Sequence, residues 1–318
     1  MNPRKENTQP LRNPGITQIP YSGNIWPYTA LTLSMLFFAS NQILGRLVPG
    51  EVPPIGLSFW RWVVAALVIL PFTCRGLCEH AKLIRANFRL FFRLTCALVI
   101  LGNTTIYIAL NYTTAINAGV VSMAQPAVTI FLTWLFFKET VTRSQTLGAI
   151  IAAIGVLVII LRGDLQALSN ITFNSGDIWM VVSVFGFAYY AVFLRRSPVE
   201  IPPLVLLNIF QLLGIFVLLP FYVWESIYIL PMEVNVTTII SVLWAGTIVA
   251  IAAMGLWNFG NKAVGANKAS IFVYVRLIFI TVLAMLILGE VLKPYHLPAF
   301  ALIILGAYMV SKAKRSTT

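Results

Sequence analysis

The sequence predicts an all-α integral membrane protein: ten transmembrane helices in two five-helix repeats of inverted topology, with both termini on the cytoplasmic side. Three observations predict it. Of 318 residues, 59% are hydrophobic and only 10% are charged, against about 25% charged in soluble domains. Apolar runs able to cross a bilayer core, about 20 residues each, recur ten times along the chain. The chain also echoes itself. Glu51-Val-Pro-Pro returns as Glu200-Ile-Pro-Pro, and Val68-Ile-Leu-Pro-Phe as Val217-Leu-Leu-Pro-Phe, both 149 residues later.

Residues 1–24 are polar and rich in Asn and Pro, and are expected to form a disordered cytoplasmic tail. No short apolar core with a small-residue cleavage site follows, which favours an uncleaved first helix over a signal peptide. The first repeat, 25–162, carries apolar runs at 26–46, 54–73, 88–110, 117–137 and 143–161. A polar break, 163–175, reads as an external linker. The second repeat, 176–312, carries runs at 176–194, 203–223, 236–260, 266–288 and 294–311, and 313–318 form a second cytoplasmic tail. The connections are short, which leaves no room for a soluble domain.

The net charge of +12 is scattered singly or in pairs beside the apolar runs. That is topogenic charge in cytoplasmic loops, not a nucleic-acid-binding surface. With the N-terminus inside, the inner segments carry fifteen Lys and Arg and the outer loops three (Arg46, Arg162 and Lys293). Cys74, Cys78 and Cys96 are too few and too clustered for a disulfide framework or a metal site. No cofactor is expected.

Five spans is an odd number, so the second set enters the membrane from the opposite face. The halves then form an inverted repeat, an architecture that places a solute site near the midplane between the repeats. Further matches run at an offset of 151: Glu139 with Glu290, and Gly155 with Gly306. The two-residue drift is a change in loop length.

These features resemble the EamA-like ten-helix members of the drug/metabolite transporter superfamily. Each half of that family closes with a Glu, a polar turn and a Gly-bearing helix. Here that reads KETVTRSQTLGAIIAAIGV at 138–156 and GEVLKPYHLPAFALIILGA at 289–307. Arg61, in FWRW, matches an Arg early in the family's second helix. The chain departs from the pattern at Lys138, where Gly is usual, at Ala299, where the first half has Gly148, and at Arg276, a normally apolar position. The resemblance implies a secondary transporter, often an exporter of amino acids or other small metabolites, and not an enzyme.

An ionisable group deep in hydrocarbon is costly and marks a functional site. Arg276 lies about ten residues into its span, roughly 15 Å deep, and its planar fork suits a carboxylate. Its repeat mate is Gln125, beside Pro126. The expected substrate-binding set is Arg276, Gln125, Asn103, Tyr107, Trp257, Asn258, Tyr274, Asn208 and Gln211. Arg61, Glu139, Glu290 and Pro126 are expected to be structural or gating. Amides and aromatics beside one deep Arg suit a metabolite with a carboxylate and an apolar body, an amino acid above all. Import of a nucleoside- or cofactor-like compound is the second reading; a membrane enzyme or a non-transporting receptor is remote, because no His or Ser-His-Asp constellation is present. No acidic residue is placed inside a span, and His80 and His296 are placed in loops or at helix edges. This predicts transport without a buried carboxylate relay. Small-residue faces on the fifth and tenth spans are candidates for a homodimer contact.

Overall fold

The computed structural model describes residues 25–139, 142–164, 174–264 and 272–312. The predicted tails and most of the 163–175 linker lie outside the described residues. The described chain is helical, with no strand: α1 (Trp26–Leu47), α2 (Pro54–Glu79) and a short surface helix, α3 (Ala81–Ala86); α4 (Phe88–Tyr112), α5 (Ala115–Phe137) and α6 (Arg143–Ile160); α7 (Ser175–Arg195), α8 (Pro203–Tyr228) and α9 (Val236–Val264); α10 (Phe272–Leu288) and α11 (His296–Lys312). Seven of these, α2 and α4 to α9, are long and apolar enough to cross a membrane. α1 has 22 residues, and α10 and α11 hold shorter apolar stretches.

The sequence echo is a repeated way of starting a helix. Pro53 and Pro202 are extended (ψ 134° and 135°), and Pro54 and Pro203 follow as first helical residues. Proline suits that position because its missing N–H would have no partner there. Both helices run 26 residues and carry an internal proline, Pro71 and Pro220. They lie antiparallel along their lengths. The start of α2 meets Glu225 near the end of α8, whereas Thr73 near the end of α2 meets Asn208 near the start of α8.

α4 and α9 match each other in a second way, since each contains a π-helical stretch, Cys96–Thr104 and Trp244–Ala253. A wider turn leaves carbonyls poorly served within their own helix. Each stretch receives a buried serine from the opposite half. Ser34 on α1 donates to the Ala253 carbonyl at 2.8 Å, and Ser183 on α7 donates to the Gly102 carbonyl at 2.7 Å. The two serines are 149 residues apart. Glycines let these pairs approach. A Cβ on Gly186 would stand 2.7 Å from the Ala97 carbonyl, and one on Gly260 2.9 Å from the Pro27 carbonyl. So α1 lies against α9 and α10, and α7 against α4 and α5: each half lends its first helix to the other.

α6 and α11 pack antiparallel through their small residues. A Cβ on Gly155 would fall 2.6 Å from Ile303 Cγ1, and Ser144 donates to the Met309 carbonyl at 3.2 Å. The faces expected to support a homodimer are therefore consumed within one chain. The residue before the repeated acid of each half, Lys138 and Gly289, is left-handed (φ 53° and 64°). That geometry favours glycine and makes lysine the strained choice.

Replacing Ser34 or Ser183 by alanine strands one π-stretch carbonyl in apolar surroundings. Each change is expected to cost about 0.5–2 kcal/mol, by similar amounts, as read from the thermal unfolding midpoint in detergent. If one serine matters and its mate does not, the reciprocal arrangement is not what holds the halves together.

Candidate functional site: two arginines on either side of α1

Arg61, on α2, is buried at 4% exposure. Its Nη1 donates to the Tyr107 hydroxyl at 2.7 Å and its Nη2 to Asn103 Oδ1 at 3.1 Å. Tyr107 passes the interaction on, donating to Asn41 Oδ1 at 2.7 Å. Asn103 is fixed at its other end by the π register, because Nδ2 donates to the Leu98 carbonyl five residues back (2.8 Å). The guanidinium also sits 5.6 Å from the Tyr107 ring centre, a cation–π distance. No carboxylate pairs with it among the described residues.

Arg276, on α10, donates from Nη2 to Gln42 Oε1 at 3.1 Å. Gln42 is buried, and its Nε2 donates to the Ala115 carbonyl at 3.4 Å. The Arg276 Nε is buried without a hydrogen-bond partner, as is that of Arg61. No acidic residue pairs with Arg276 among the described residues. Two cations from opposite halves thus reach consecutive residues of α1, Arg61 through Tyr107 to Asn41 and Arg276 directly to Gln42, and neither meets an anion among the described residues. The sequence shows this pair as amides in the first span, outside the expected substrate-binding set. Its only signal was two adjacent amides in an apolar span.

The other expected residues fall in different places. Asn103 and Tyr107 belong to the Arg61 group. Tyr274 is half-buried against the core, two residues before Arg276. Gln125 is half-buried on α5, just after a break at Met123–Ala124 that Pro126 imposes by lacking an N–H. It makes no side-chain hydrogen bond with a described residue, nor do Trp257, half-buried on α9, and Asn258, exposed beside it. Asn208 and Gln211 are wholly buried on α8. Asn208 donates to the Thr73 hydroxyl, roughly 18 Å along α2 from Arg61 at 1.5 Å per residue. Asn208 thus belongs to helix packing at the far end, outside the arginine group, whereas Gln211, one turn on, has both amide atoms buried without a hydrogen-bond partner among the described residues. A groove of about 940 Å³ between α5, α6 and α7 is lined by apolar side chains with Lys138, Glu139 and Gln145, and neither arginine borders it.

The expectation that spans hold no acid is overturned. Asp177 lies in the first turn of α7 and is wholly buried, and Glu225 is buried near the end of α8. His296 opens α11, at the helix edge expected for it, and is buried there at 2% exposure. Asp177 already fell inside the 176–194 run and was passed over because it stands beside the polar break. Glu225 was missed because α8 runs beyond its apolar stretch. Two carboxylates of the second half are spent on helix starts of the first. Glu225 accepts from the N–H groups of Ile55 (3.1 Å) and Gly56 (2.7 Å), and Glu290 from those of Ala115 (2.7 Å) and Ile116 (3.0 Å). Helix N-termini carry unpaired donors and a positive dipole end, so an acid is the natural cap. Arg46 lies 3.8 Å from Glu290 and donates to the Leu110 carbonyl at 2.9 Å. At the opposite ends of the helices, Glu139 pairs with Arg196.

A model of the EamA-like transporter family matches residues 25–161 and again 174–312. The chain is 24% identical to the uncharacterized transporter YyaM of Bacillus subtilis over 89% of this chain and 93% of that one. It is 26% identical to an uncharacterized transporter of Archaeoglobus fulgidus, over 88% and 96%. A solved crystal structure, described only as that of a protein, superposes with a TM-score of 0.55 at 18% identity over 90% of this chain and 94% of the other. That last likeness is one of fold alone.

Tyr107→Phe removes the hydroxyl joining Arg61 to Asn41 and leaves two buried polar atoms without partners. It is expected to cost about 1–3 kcal/mol, seen as a lower unfolding midpoint by tryptophan fluorescence. Tyr112→Phe, at an exposed ring, is the control and should change nothing. An unchanged midpoint for Tyr107→Phe would mean the Arg61 network is not formed.

Proposed function

The chain belongs to the EamA-like transporter family, and on that premise we propose that it is a secondary transporter exporting a small carboxylate-bearing metabolite, an amino acid above all, across the cytoplasmic membrane. The observation that carries the substrate class is the pair of arginines without acid partners on either side of Asn41 and Gln42. An uncompensated guanidinium in hydrocarbon is costly, and a substrate carboxylate would supply the missing anion in a bidentate fork.

In this reading all ten helices cross the bilayer, both termini are cytoplasmic, and the two halves form an inverted repeat. The antiparallel course of α2 and α8 and the reciprocal serine bonds support it. Inversion gives one sequence two related packings, one open to each face, which is the basis of alternating access. The Glu225 and Glu290 caps lie at the predicted external ends, where they tie the second half to the first. They act as the external gate in its closed form. For Glu290 to leave Ala115 and Ile116, another donor must meet its charge, and Arg46 already stands beside it. Glu139, its repeat mate, would cap α10's half of the structure from the opposite face in the alternate state.

An untargeted comparison of metabolites inside and outside cells, with and without the protein, identifies the solute. Arg276→Ala is then expected to lower its export about 10- to 100-fold, the equivalent of a lost charge-assisted hydrogen bond, with the protein still present in the membrane. Normal export by that variant removes Arg276 from the site.

A further inference from the structure

The buried polar groups at the gate end form a continuous chain that the arginine site does not use. His296 Nδ1 accepts from the backbone N–H of Lys293 at 2.8 Å, so Nε2 carries the proton and donates to Asn117 Oδ1, also at 2.8 Å. Asn117 Nδ2 donates to the Thr113 hydroxyl at 3.4 Å. Thr113 donates in turn to Asp177 Oδ1. His296, Asn117, Thr113 and Asp177 are all buried, at 3% exposure or less. Asn117 lies beside the Asp177 carboxylate, yet Oδ2 makes no hydrogen bond of ordinary geometry. The two titratable ends, Asp177 and His296, come from the second half, whereas the two links, Thr113 and Asn117, come from the first.

We propose that this chain is a proton-binding site, with Asp177 Oδ2 as the acceptor, and that a proton there holds the gate end of the two halves closed. The sign follows from burial. The closed form encloses Asp177 with Oδ2 lacking a donor, so a proton removes the cost of a buried, half-satisfied charge, whereas opening gives the carboxylate water and lets the proton go. His296 Nδ1 accepts as a neutral ring, and a proton there would place two donors face to face at Lys293, so the ring stays neutral in the closed form. Acid at Asp177 therefore favours the closed form, and alkaline conditions favour opening. The other charged and titratable groups facing the chain are Arg162 at the end of α6, with Asp164 two residues on; Tyr295 and Lys293 before α11; Glu290 at the end of α10; and Arg46 on α1. Tyr112 ends α4 beside Thr113, and its carbonyl accepts from Asn174 (3.0 Å). Arg162 and Lys293 are cations, so the site can lose its proton again without leaving a lone negative charge.

This inference rests on the alternating-access reading, and its test separates the two. Spin labels are placed at Glu51 of the first half and Val291 of the second, both exposed at this end, with Cys74, Cys78 and Cys96 replaced by serine. Distances are measured in lipid nanodiscs from about pH 8 to about pH 5, a range that brackets ordinary His and carboxylate titration. The population at a second, longer distance is expected to fall several-fold on acidification. Asp177→Asn, which stays uncharged at every pH, should abolish that change. Thr113→Val, which keeps both titratable groups but breaks the chain between them, should reduce it. Two distances whose proportions ignore pH would overturn the proton site while leaving alternating access standing. A single unchanging distance at every pH would overturn both. Equal pH dependence in the parent and in Asp177→Asn would move the proton elsewhere and overturn the assignment.

Discussion

Two buried serines hold the architecture together. A wide helical turn in hydrocarbon exposes carbonyls that water cannot reach, and each must find a donor within the protein. Ser34 and Ser183 provide one to the π stretch of the opposite half. This fixes which helices are exchanged: α1 is anchored on the second half and α7 on the first. The exchange gives α1 its position between the two arginines. Any rotation of one half against the other must shift Asn41 relative to the Arg61 group or Gln42 relative to Arg276.

Charge is distributed with the same logic. The gate end holds acids that are already satisfied by backbone N–H groups, so they do not neutralise the arginines at depth. Glu225 and Glu290 are each held by two such donors. Arg61 is instead stabilised by a phenol, an amide and an aromatic face, and Arg276 by one amide oxygen. Oxygen dipoles lower the cost of a buried cation without cancelling its charge. What remains is a positive field at depth, which in the proposed function draws a substrate anion past the mouth.

Much of the fold was legible because its signals are local. Paired prolines 149 residues apart marked two equal helix starts. Apolar length marked the spans, and Arg276 stood out as a charge among apolar neighbours. The left-handed turn before Glu290 was written as a glycine, whereas Lys138 disguised its mate. What was not legible depends on partners distant in sequence. Asn103 reads from sequence as a solute ligand, and its bonds to Arg61 and to a carbonyl five residues back have no sequence signal. The π stretches that require this have no compositional mark. Asn208 carries the same amide as Asn41, and only the packing of α8 on α2 separates glue from site. Asp177, one residue inside its span, reads as a loop residue until Thr113 is brought against it from another helix.

The account stands on the two halves facing opposite compartments, and the paired-proline loops test that most directly. Single cysteines at Glu51 and at Glu200, in a chain with Cys74, Cys78 and Cys96 replaced, are exposed to a membrane-impermeant maleimide on intact cells and again after the membrane is opened. The expected result is labelling at Glu51 on intact cells and at Glu200 only once the cytoplasmic side is reached. Labelling of both positions from the same side would contradict the inverted arrangement, and with it the shared site between the arginines.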